Sequence, residues 1–387
     1  MTVPLWRRSS LLADIHTDTA VIGAGIAGLS VALFLQDKRI PAVILERHAV
    51  GSGASTRNAG YLMRGAADNY ALAARHHGRR LASVLWRWTE QNLALLRTRG
   101  VASIPSYAAR PSCLLALEPT EAEELAESHR LLTADGFDAA LLESHTDAAW
   151  RTKTARLGLL NPDDACVNPH DLLNFLRAQV HVPIYEHQEV AEIHAHREDR
   201  VTIRTTDATV HCRRAIVCVN AYAPLLLPNF DALVRPNRGQ MLALHATHQD
   251  IPLDFNYYAN RGSEYFRRAD HDTIVLGGKR TTDEAAERTF DDRHTPRIQS
   301  NLEAFAKDLF GTLPPVKARW AGTMGFTPDH LPLLGPVPNH HNAVWFLGGF
   351  TGHGMSLAHR CAKAAVDQLL GEPPTANPFP LARLIKP

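Results

Sequence analysis

The chain has 387 residues, of which 45% are hydrophobic and 21% charged, a composition typical of a globular protein with two domains or one large interleaved unit. Its 41 lysines and arginines nearly balance its 40 aspartates and glutamates, so its net charge favours neither nucleic acid nor an anionic membrane as a partner. The five cysteines include no Cys-x-x-Cys pair and no apolar run approaches the ~20 residues of a membrane span, so we expect a cytoplasmic protein that does not span a membrane.

The first predicted element is a buried strand over residues 18–22, which runs directly into the turn Gly23-x-Gly25-x-x-Gly28. An apolar helix and a second buried strand follow, and Glu46 stands where that second strand ends. In such a βαβ unit the first glycine permits the tight turn, the second lets the backbone approach a pyrophosphate, and the third lets the helix pack on the strand. The N–H groups at the helix start bind phosphate, and an acid in the place of Glu46 binds a ribose diol. The segment therefore predicts a dinucleotide site, and it disfavours NADP because Glu46 would repel a 2′-phosphate.

The segment after Glu46 favours a flavin over a nicotinamide dinucleotide. Small residues dominate over 51–61, which lets the backbone follow a flat ligand beyond the pyrophosphate. Ser55, Thr56 and Asn58 add polar side chains for phosphate or ring edges. A flexible surface loop has the same composition and stays the alternative for this segment taken alone.

The middle of the chain has the patterns of helices and strands separated by polar turns. Periodic apolar residues predict helices over 81–96 and 121–131, and apolar or β-branched runs predict strands over 241–244, 263–266 and 273–278.

Near the C-terminus an apolar strand over 344–347 leads into the glycine-rich turn 348–354 and a helix that extends to Leu370. The N–H groups at such a helix start can face the N1–C2=O edge of a flavin, where negative charge develops when the ring accepts a hydride. The two ends of the chain are therefore predicted to meet at one cofactor.

Together these segments resemble the D-amino-acid-oxidase-type superfamily of FAD-dependent oxidoreductases, which contains glycine and sarcosine oxidases, D-amino-acid dehydrogenases and γ-glutamylputrescine oxidase. Besides the glycine turn and 46–60, the segments that carry the resemblance are 167–173, 189–190, 215–222, 319–335 and 344–358. The resemblance implies an α/β fold in which a Rossmann-type FAD-binding domain is interleaved with a mixed-sheet substrate domain. The implied boundaries are 1–75, 150–222 and 318–387 for the FAD-binding domain, and 76–149 and 223–317 for the substrate-binding domain.

The resemblance, with the motifs above, also implies how FAD is held. Sarcosine-oxidase-like members attach the flavin through a cysteine in the C-terminal region, and no cysteine lies between Arg319 and Gly354, so we expect FAD to be non-covalent. The predicted cofactor contacts are Gly23, Gly25, Ile26, Ala27, Gly28, Glu46, Arg47, Ser52, Ala54, Ser55, Thr56, Asn58, Ala59, Gly60, Val190, Asn220, Gly322, Met324, Gly349, Phe350, Thr351, Gly352, His353, Gly354 and Met355.

The reaction implied by the resemblance is oxidation of a C–N bond. Hydride passes from the carbon that bears the nitrogen of an amine or amino acid to flavin N5, and water hydrolyses the resulting imine. A neutral amine can be selected at binding, so no general base is required and no catalytic residue is predicted. Oxidases of this group carry a lysine where this chain has Val275, with Lys279 four residues later, so oxygen and an electron carrier both stay open as acceptors.

One departure from the family pattern bears on the substrate. Glycine-oxidase-like members have an arginine after a Trp-Ala-Gly-like element, and its two parallel N–H groups pair with the substrate carboxylate. Met324 stands at that place here, which favours the γ-glutamylputrescine-oxidase-like branch and an amine, or an N-substituted amino acid whose carboxylate binds elsewhere.

The predicted substrate contacts are Tyr61, Arg238, Gln240, Tyr258 and Tyr265. The alternatives are half-buried core residues for the tyrosines and a surface position for Arg238. Paired histidines at 76–77, 194/196 and 340–341 lack cysteine or carboxylate neighbours at ligand spacing, so no metal site is predicted.

Three other functions stay open at this point. An FAD-dependent 2-hydroxy-acid dehydrogenase would need a base for the hydroxyl proton, and none is evident. A tRNA-modifying enzyme with a similar FAD module is disfavoured by the neutral net charge. A non-catalytic flavin-binding protein would keep the cofactor motifs without a working pocket.

Overall fold

A computed structural model describes residues 14–66, 68–143, 155–372 and 377–385. Within these residues the strands are, in chain order, β1 (Ile15–His16), β2 (Thr19–Ile22), β3 (Ala42–Leu45), β4 (Tyr61–Leu62), β5 (Ala108–Ala109), β6 (Ser112–Ala116), β7 (Ala140–Glu143), β8 (Leu157–Asn161), β9 (Ala165–Cys166), β10 (Ile184–Tyr185), β11 (Val190–Arg197), β12 (Arg200–Thr205), β13 (Thr209–Cys212), β14 (Arg214–Val217), β15 (Arg235–His245), β16 (Asn256–Ala259), β17 (Glu264–Arg268), β18 (Thr273–Gly277), β19 (Val316–Phe326), β20 (Leu333–Pro336) and β21 (Val344–Gly348). The helices are α1 (Ile26–Asp37), α2 (Tyr70–His77), α3 (Arg79–Thr98), α4 (Pro119–Ala134), α5 (Pro169–Gln179), α6 (Glu284–Glu287), α7 (Pro296–Phe310) and α8 (Gly354–Leu369).

A six-stranded sheet in the order β10-β3-β2-β14-β21-β20 carries the glycine turn. Its first five strands are parallel, and β20 pairs antiparallel at the edge. All residues of β2 and β3 are buried, as expected for parallel strands that are covered on both faces.

The two faces of this sheet are covered by different layers. On one face α1 and α8 pack against each other, and the Nδ1 atom of the buried His359 lies 2.9 Å from the Oγ atom of Ser30. On the other face Ala20, Ile22 and Val43 pack against a smaller sheet in the order β1-β13-β12-β11. Alternate residues of β2 and β3 therefore pack on opposite faces of the sheet, as the period of two in a strand requires.

A second large sheet has the order β19-β15-β18-β17-β16-β6-β8-β7. Its neighbours are antiparallel except for β16 and β6. Helix α7 covers one face through Ile298, Leu302 and Phe305, which pack in one cluster with Leu242 and Leu276. Met241, Tyr258 and Tyr265 of the eight-stranded sheet pack in another cluster with Tyr61.

These observations confirm the predicted fold class. The predicted helices 81–96 and 121–131 lie within α3 and α4. The three predicted strands correspond to β15, β17 and β18, except that β17 begins one residue later and β18 ends one residue earlier than expected. No helix in the described part of the chain is long and apolar enough to cross a membrane.

The domain boundaries stay a prediction. The six-stranded sheet takes its strands from all three segments assigned to the FAD-binding domain. However, β8 and β19, which those segments also include, belong to the eight-stranded sheet because they pair with β6 and β15. The boundary at 149/150 lies outside the described residues.

Candidate cofactor and substrate site

A cleft of about 520 Å³ opens where β2, β3 and β14 end and α1 begins. Most of the predicted cofactor contacts line it: Gly23, Gly25, Ile26, Ala27, Glu46, Arg47, Ser52, Ala54, Ser55, Asn58, Val190, Asn220, Met324, Phe350, Gly352, Gly354 and Met355. Both ends of the chain therefore reach the same cleft. Its wall also includes residues that were not among the predicted contacts. Arg57, Glu189, Cys218 and Tyr222 lie in segments that carry the family resemblance, whereas Gln188 and Asp292 lie outside them.

The three glycines of the first turn have distinct surroundings. Gly23 has a φ of +100°, and a Cβ atom there would lie 2.9 Å from the carbonyl oxygen of Cys218. A Cβ atom on Gly25 would lie 2.9 Å from Ser55 Oγ, at the start of α1. A Cβ atom on Gly28 would lie 1.8 Å from the carbonyl oxygen of Gly23, so Gly28 permits helix–strand contact and does not line the cleft.

Polar groups at this turn suit a ribose and a pyrophosphate. Glu46 Oε2 accepts a hydrogen bond from the Ala24 N–H at 2.8 Å, and its Oε1 accepts one from the His48 N–H at 2.9 Å. Ser55 Oγ accepts from the Ile26 N–H at 3.0 Å, at the positive end of α1. Gly25 has no side chain, so the space beside these groups stays free for a ligand. The residues present therefore fit a dinucleotide, whose phosphates can approach the start of the helix.

A smaller cavity of about 90 Å³ adjoins the cleft and shares Asn58, Met324, Gly352 and Met355 with it. Predicted cofactor and substrate contacts that line this cavity are Ala59, Gly60, Tyr61, Tyr258, Tyr265, Thr351 and His353. Lining residues that sequence reasoning missed are Met63, Gly239, Gly262, Gly278, Arg280, Phe326 and Ser356. The small cavity therefore adjoins the part of the cleft that the C-terminal turn lines, and none of Gly23, Gly25 and Glu46 lines it.

The three tyrosines form an aromatic wall of this cavity. Tyr61 contacts Tyr258 edge-on with ring centroids 5.2 Å apart, and Tyr258 contacts Tyr265 at 5.8 Å. Burial raises the pKa of all three phenols, so they stay protonated at neutral pH. The Tyr61 hydroxyl donates to the carbonyl oxygen of Tyr257 at 3.0 Å, which fixes that ring and leaves its face to the cavity.

His353 brings a hydrogen-bond acceptor to the cavity. Its Nδ1 lies 3.0 Å from the carbonyl oxygen of Thr351, and since a carbonyl only accepts, the ring proton is on Nδ1. Nε2 therefore carries a lone pair; it is shielded from solvent and has no hydrogen-bond partner among the described residues. Burial lowers the pKa of His353, so the neutral imidazole is the form present at neutral pH.

The structure does not bring Arg238 and Gln240 to either cavity. Side chains alternate along β15, so Gly239 faces the small cavity while its two neighbours point to the α7 side. There Arg238 Nη2 lies 2.7 Å from Glu287 Oε1, and Gln240 Nε2 donates to both oxygens of Glu287 at 3.0 Å. These two residues hold the segment after α6 in place, which corrects their interpretation as substrate contacts.

Four predicted cofactor contacts lie behind the walls of the cavities. Besides Gly28, Thr56 donates its hydroxyl to the carbonyl oxygen of Gly51 at 2.6 Å. A Cβ atom on Gly322 would lie 2.8 Å from the Arg57 side chain. The Gly349 N–H donates to Asn220 Oδ1 at 2.9 Å, which joins the middle segment to the C-terminal turn.

An ion pair lies across the rim of the cleft. Arg57 Nη1 is 2.6 Å from Asp292 Oδ2, and both residues line the cleft. Arg57 Nη1 also donates to the carbonyl oxygen of Ala321 at 3.1 Å, which ties the loop after β3 to β19. Nothing in the sequence near Asp292 indicated this contact, because it depends on a long-range approach of two segments.

We expect the Asp292→Asn substitution to speed FAD release by up to about fivefold. The two side chains are 34% and 45% exposed, so their ion pair contributes less than about 1 kcal/mol to the free energy that holds the two segments together at the rim of the cleft. Stopped-flow recovery of flavin fluorescence measures the release. Glu284→Gln is the matched control, since Glu284 pairs with Arg288 on the same segment but lies outside the cleft. Equal release rates for the two variants would contradict the role of the Arg57–Asp292 pair.

The comparisons with known proteins agree with this geometry. The family model described as FAD dependent oxidoreductase matches residues 18–368. The chain is similar to gamma-glutamylputrescine oxidoreductase of Escherichia coli, with 23% identity over 94% of this chain and 86% of that protein. It is also similar to the tRNA 5-methylaminomethyl-2-thiouridine biosynthesis bifunctional protein MnmC of Chromohalobacter salexigens, with 26% identity over 91% of this chain and 54% of that protein, so it spans about half of that relative. Among solved structures, glycine oxidase of Geobacillus kaustophilus aligns with a TM-score of 0.79 at 22% identity, over 96% of this chain and 100% of that one, a likeness of fold.

Proposed function

The chain belongs to the FAD-dependent oxidoreductase family, and from this membership we propose that it oxidises a carbon–nitrogen bond of an amine or amino acid. The observation that carries the proposal is the small cavity that adjoins the dinucleotide cleft and shares four wall residues with it. The names of the Escherichia coli relative and of the solved glycine oxidase give γ-glutamylputrescine and glycine as what they oxidise, and both contain such a bond.

The proposed roles follow from where the side chains lie. Gly23, Gly25, Glu46 and Ser55 hold the dinucleotide, and the start of α8 at Gly354 faces the flavin end with its positive dipole. When bound, FAD would supply the acceptor for a hydride from the carbon that bears the nitrogen, and water would hydrolyse the resulting imine to a carbonyl compound and ammonia or an amine.

The residues of the small cavity bind and orient the substrate. The aromatic rings of Tyr61, Tyr258 and Tyr265 exclude water from the reacting carbon. His353 Nε2 accepts a hydrogen bond from the substrate N–H, which orients the nitrogen and the carbon that bears it in the cavity. A neutral imidazole also suits removal of a hydroxyl proton, so 2-hydroxy acids belong in the test below.

We propose that FAD is held without a covalent bond and that the protein works in a reducing compartment, the cytoplasm. Cys218 lines the cleft near Gly23, away from the flavin end, and burial raises the pKa of its thiol, which disfavours the reactive thiolate. All five cysteines are free and buried. Acid precipitation should therefore leave the flavin in the supernatant; flavin that stays in the protein pellet would contradict the non-covalent proposal.

An anaerobic absorbance scan of the FAD-loaded protein tests the reaction. Diamines, N-methyl amino acids, free D- and L-amino acids and 2-hydroxy acids are added in turn. We expect a nitrogen compound to bleach the flavin band; bleaching by 2-hydroxy acids alone would overturn the proposal. Bleaching by dithionite but by no substrate would indicate a non-catalytic flavoprotein. Reopening the cell to air then distinguishes an oxidase from a dehydrogenase.

A further inference from the structure

Arg280 is the cationic residue in the wall of the small cavity, and its side chain has neither an ion pair nor a hydrogen bond among the described residues. The chain turns into the cavity wall at Gly278, where φ is +128° and a Cβ atom would lie 2.3 Å from the carbonyl oxygen of Ser263. The guanidinium carbon of Arg280 lies 4.8 Å from the ring centroid of Phe326, another wall residue. This stacking holds the planar group but uses none of its five N–H donors.

Other arginines near the site have a carboxylate partner, including Arg47, which lies 3.8 Å from Glu189. Arg57 pairs with Asp292, and Arg238 pairs with Glu287. The neighbouring cation Lys279 lies 3.5 Å from Glu264 and over the ring of Phe305, outside the cavity.

No carboxylate is among the residues that line the small cavity within the described chain. The acids behind its walls already have partners: Glu264 accepts from Asn260 and lies beside Lys279, and Asp164 accepts from Ser112 and from the Arg64 N–H. The positive charge of Arg280 is therefore not neutralised by the protein, and an anionic group of the substrate is its natural partner.

We infer that Arg280 binds a substrate carboxylate, so that the substrate is an amino acid or an N-substituted amino acid whose amine faces His353 Nε2. This inference rests on the proposed function and names its substrate class. The inference also explains why Met324 can stand where glycine-oxidase-like members have an arginine. The carboxylate would bind to Arg280, on the loop after β18, and not to a residue of β19. A cavity of about 90 Å³ favours a small side chain. A diamine would bring a second ammonium group towards Arg280, where it is repelled.

The binding of two matched probes to the FAD-loaded enzyme tests this site without turnover. Propionate has a carboxylate, propionamide is its neutral isostere, and neither has an amine to oxidise; the shift of the flavin absorbance band reports binding of each. We expect the wild type to bind propionate at least about tenfold more tightly than propionamide. Arg280→Met should lose this preference and weaken propionate at least about tenfold, and Arg280→Lys should keep part of it because the charge stays.

Lys279→Met is the control for a general effect of charge, since it removes a cation one residue away that does not line the cavity. We expect it to keep the wild-type preference. The inference is overturned if the wild type binds both probes equally or binds neither, or if Arg280→Met binds propionate as the wild type does. Should Arg280→Met fail to retain FAD, Arg280→Lys serves as the test. A lysine cannot donate two parallel N–H groups to a carboxylate, so the inference is contradicted if this variant binds propionate with the affinity and the preference of the wild type.

The outcomes also separate this inference from the proposed function. If amines reduce the flavin but propionate binds independently of Arg280, the function stands and the carboxylate site does not. If propionate binding depends on Arg280 but no nitrogen compound reduces the flavin, the anion site stands and C–N oxidation does not.

Discussion

Replacing Glu287 with alanine should lower the free energy of unfolding by about 3–5 kcal/mol. The Arg238 and Glu287 side chains are only 5% and 1% exposed, and they are joined by hydrogen bonds of 2.7 Å and 3.0 Å. Removing the carboxylate leaves a buried guanidinium group without its close counter-charge, since Asp291 Oδ2 lies 3.9 Å away. It also removes two of the three acceptors of Gln240 Nε2, which keeps only Thr295 Oγ1. Urea unfolding of the FAD-loaded protein, followed by tryptophan fluorescence, measures the change.

The neighbouring acid on α6 supplies the control for this prediction. Glu284 pairs with Arg288 on the surface, with more than half of each side chain exposed, so Glu284→Ala should change stability by less than about 0.5 kcal/mol. Combining Glu287→Leu with Arg238→Met removes both charges and should recover much of the loss. A Glu287→Ala variant as stable as Glu284→Ala would show that the buried pair does not hold this segment.

The Gly28→Ala substitution is expected to cost about 3 kcal/mol or more and to weaken FAD binding at least about tenfold. The added methyl group would lie 1.8 Å from the carbonyl oxygen of Gly23, a backbone atom that cannot move without displacing the phosphate-binding turn. Thermal unfolding and a fluorescence titration with FAD measure the two effects.

A second glycine of the same region makes this prediction specific. A Cβ atom on Gly53 would meet no atom of the described protein within 4 Å, and its φ of −92° suits any residue. Gly53→Ala should therefore keep the wild-type unfolding temperature. If Gly28→Ala were equally well tolerated, the close approach of α1 to β2 would not be what Gly28 provides.

The parts of the site that local sequence determines were predictable. Gly23, Gly25 and Glu46 sit in one βαβ unit, so their spacing alone places them at the end of the same two strands. The C-terminal turn was predicted in the same way, because a strand, a glycine-rich segment and an apolar helix follow one another directly in the sequence.

The residues that were misplaced or missed depend on strand faces and on long-range contacts. Arg238 was predicted as a substrate contact because residues 235–240 resemble a family segment close to the flavin. The predicted strand began only at 241, so the alternation that turns the Arg238 side chain to the α7 side of β15 was not considered. Arg280 carries no local signal beyond a Gly-Gly pair before it, and its position depends on Phe326, which lies on another strand. Asp292 and Arg57 are far apart in the chain, so their contact depends on the tertiary structure and leaves no local signal.

The pairing of β14 with both β2 and β21 has a consequence for synthesis on the ribosome. While the nascent chain is being made, β14 can join β2, but its other edge has no neighbour until residues 344–348 have emerged. During that interval one edge of β14 has unpaired backbone N–H and C=O groups, which can form hydrogen bonds with strands of other chains. The start of α8, which completes the cleft, emerges later still. We therefore expect FAD to bind only after α8 has emerged, since a chain that ends before β21 lacks part of the cleft wall.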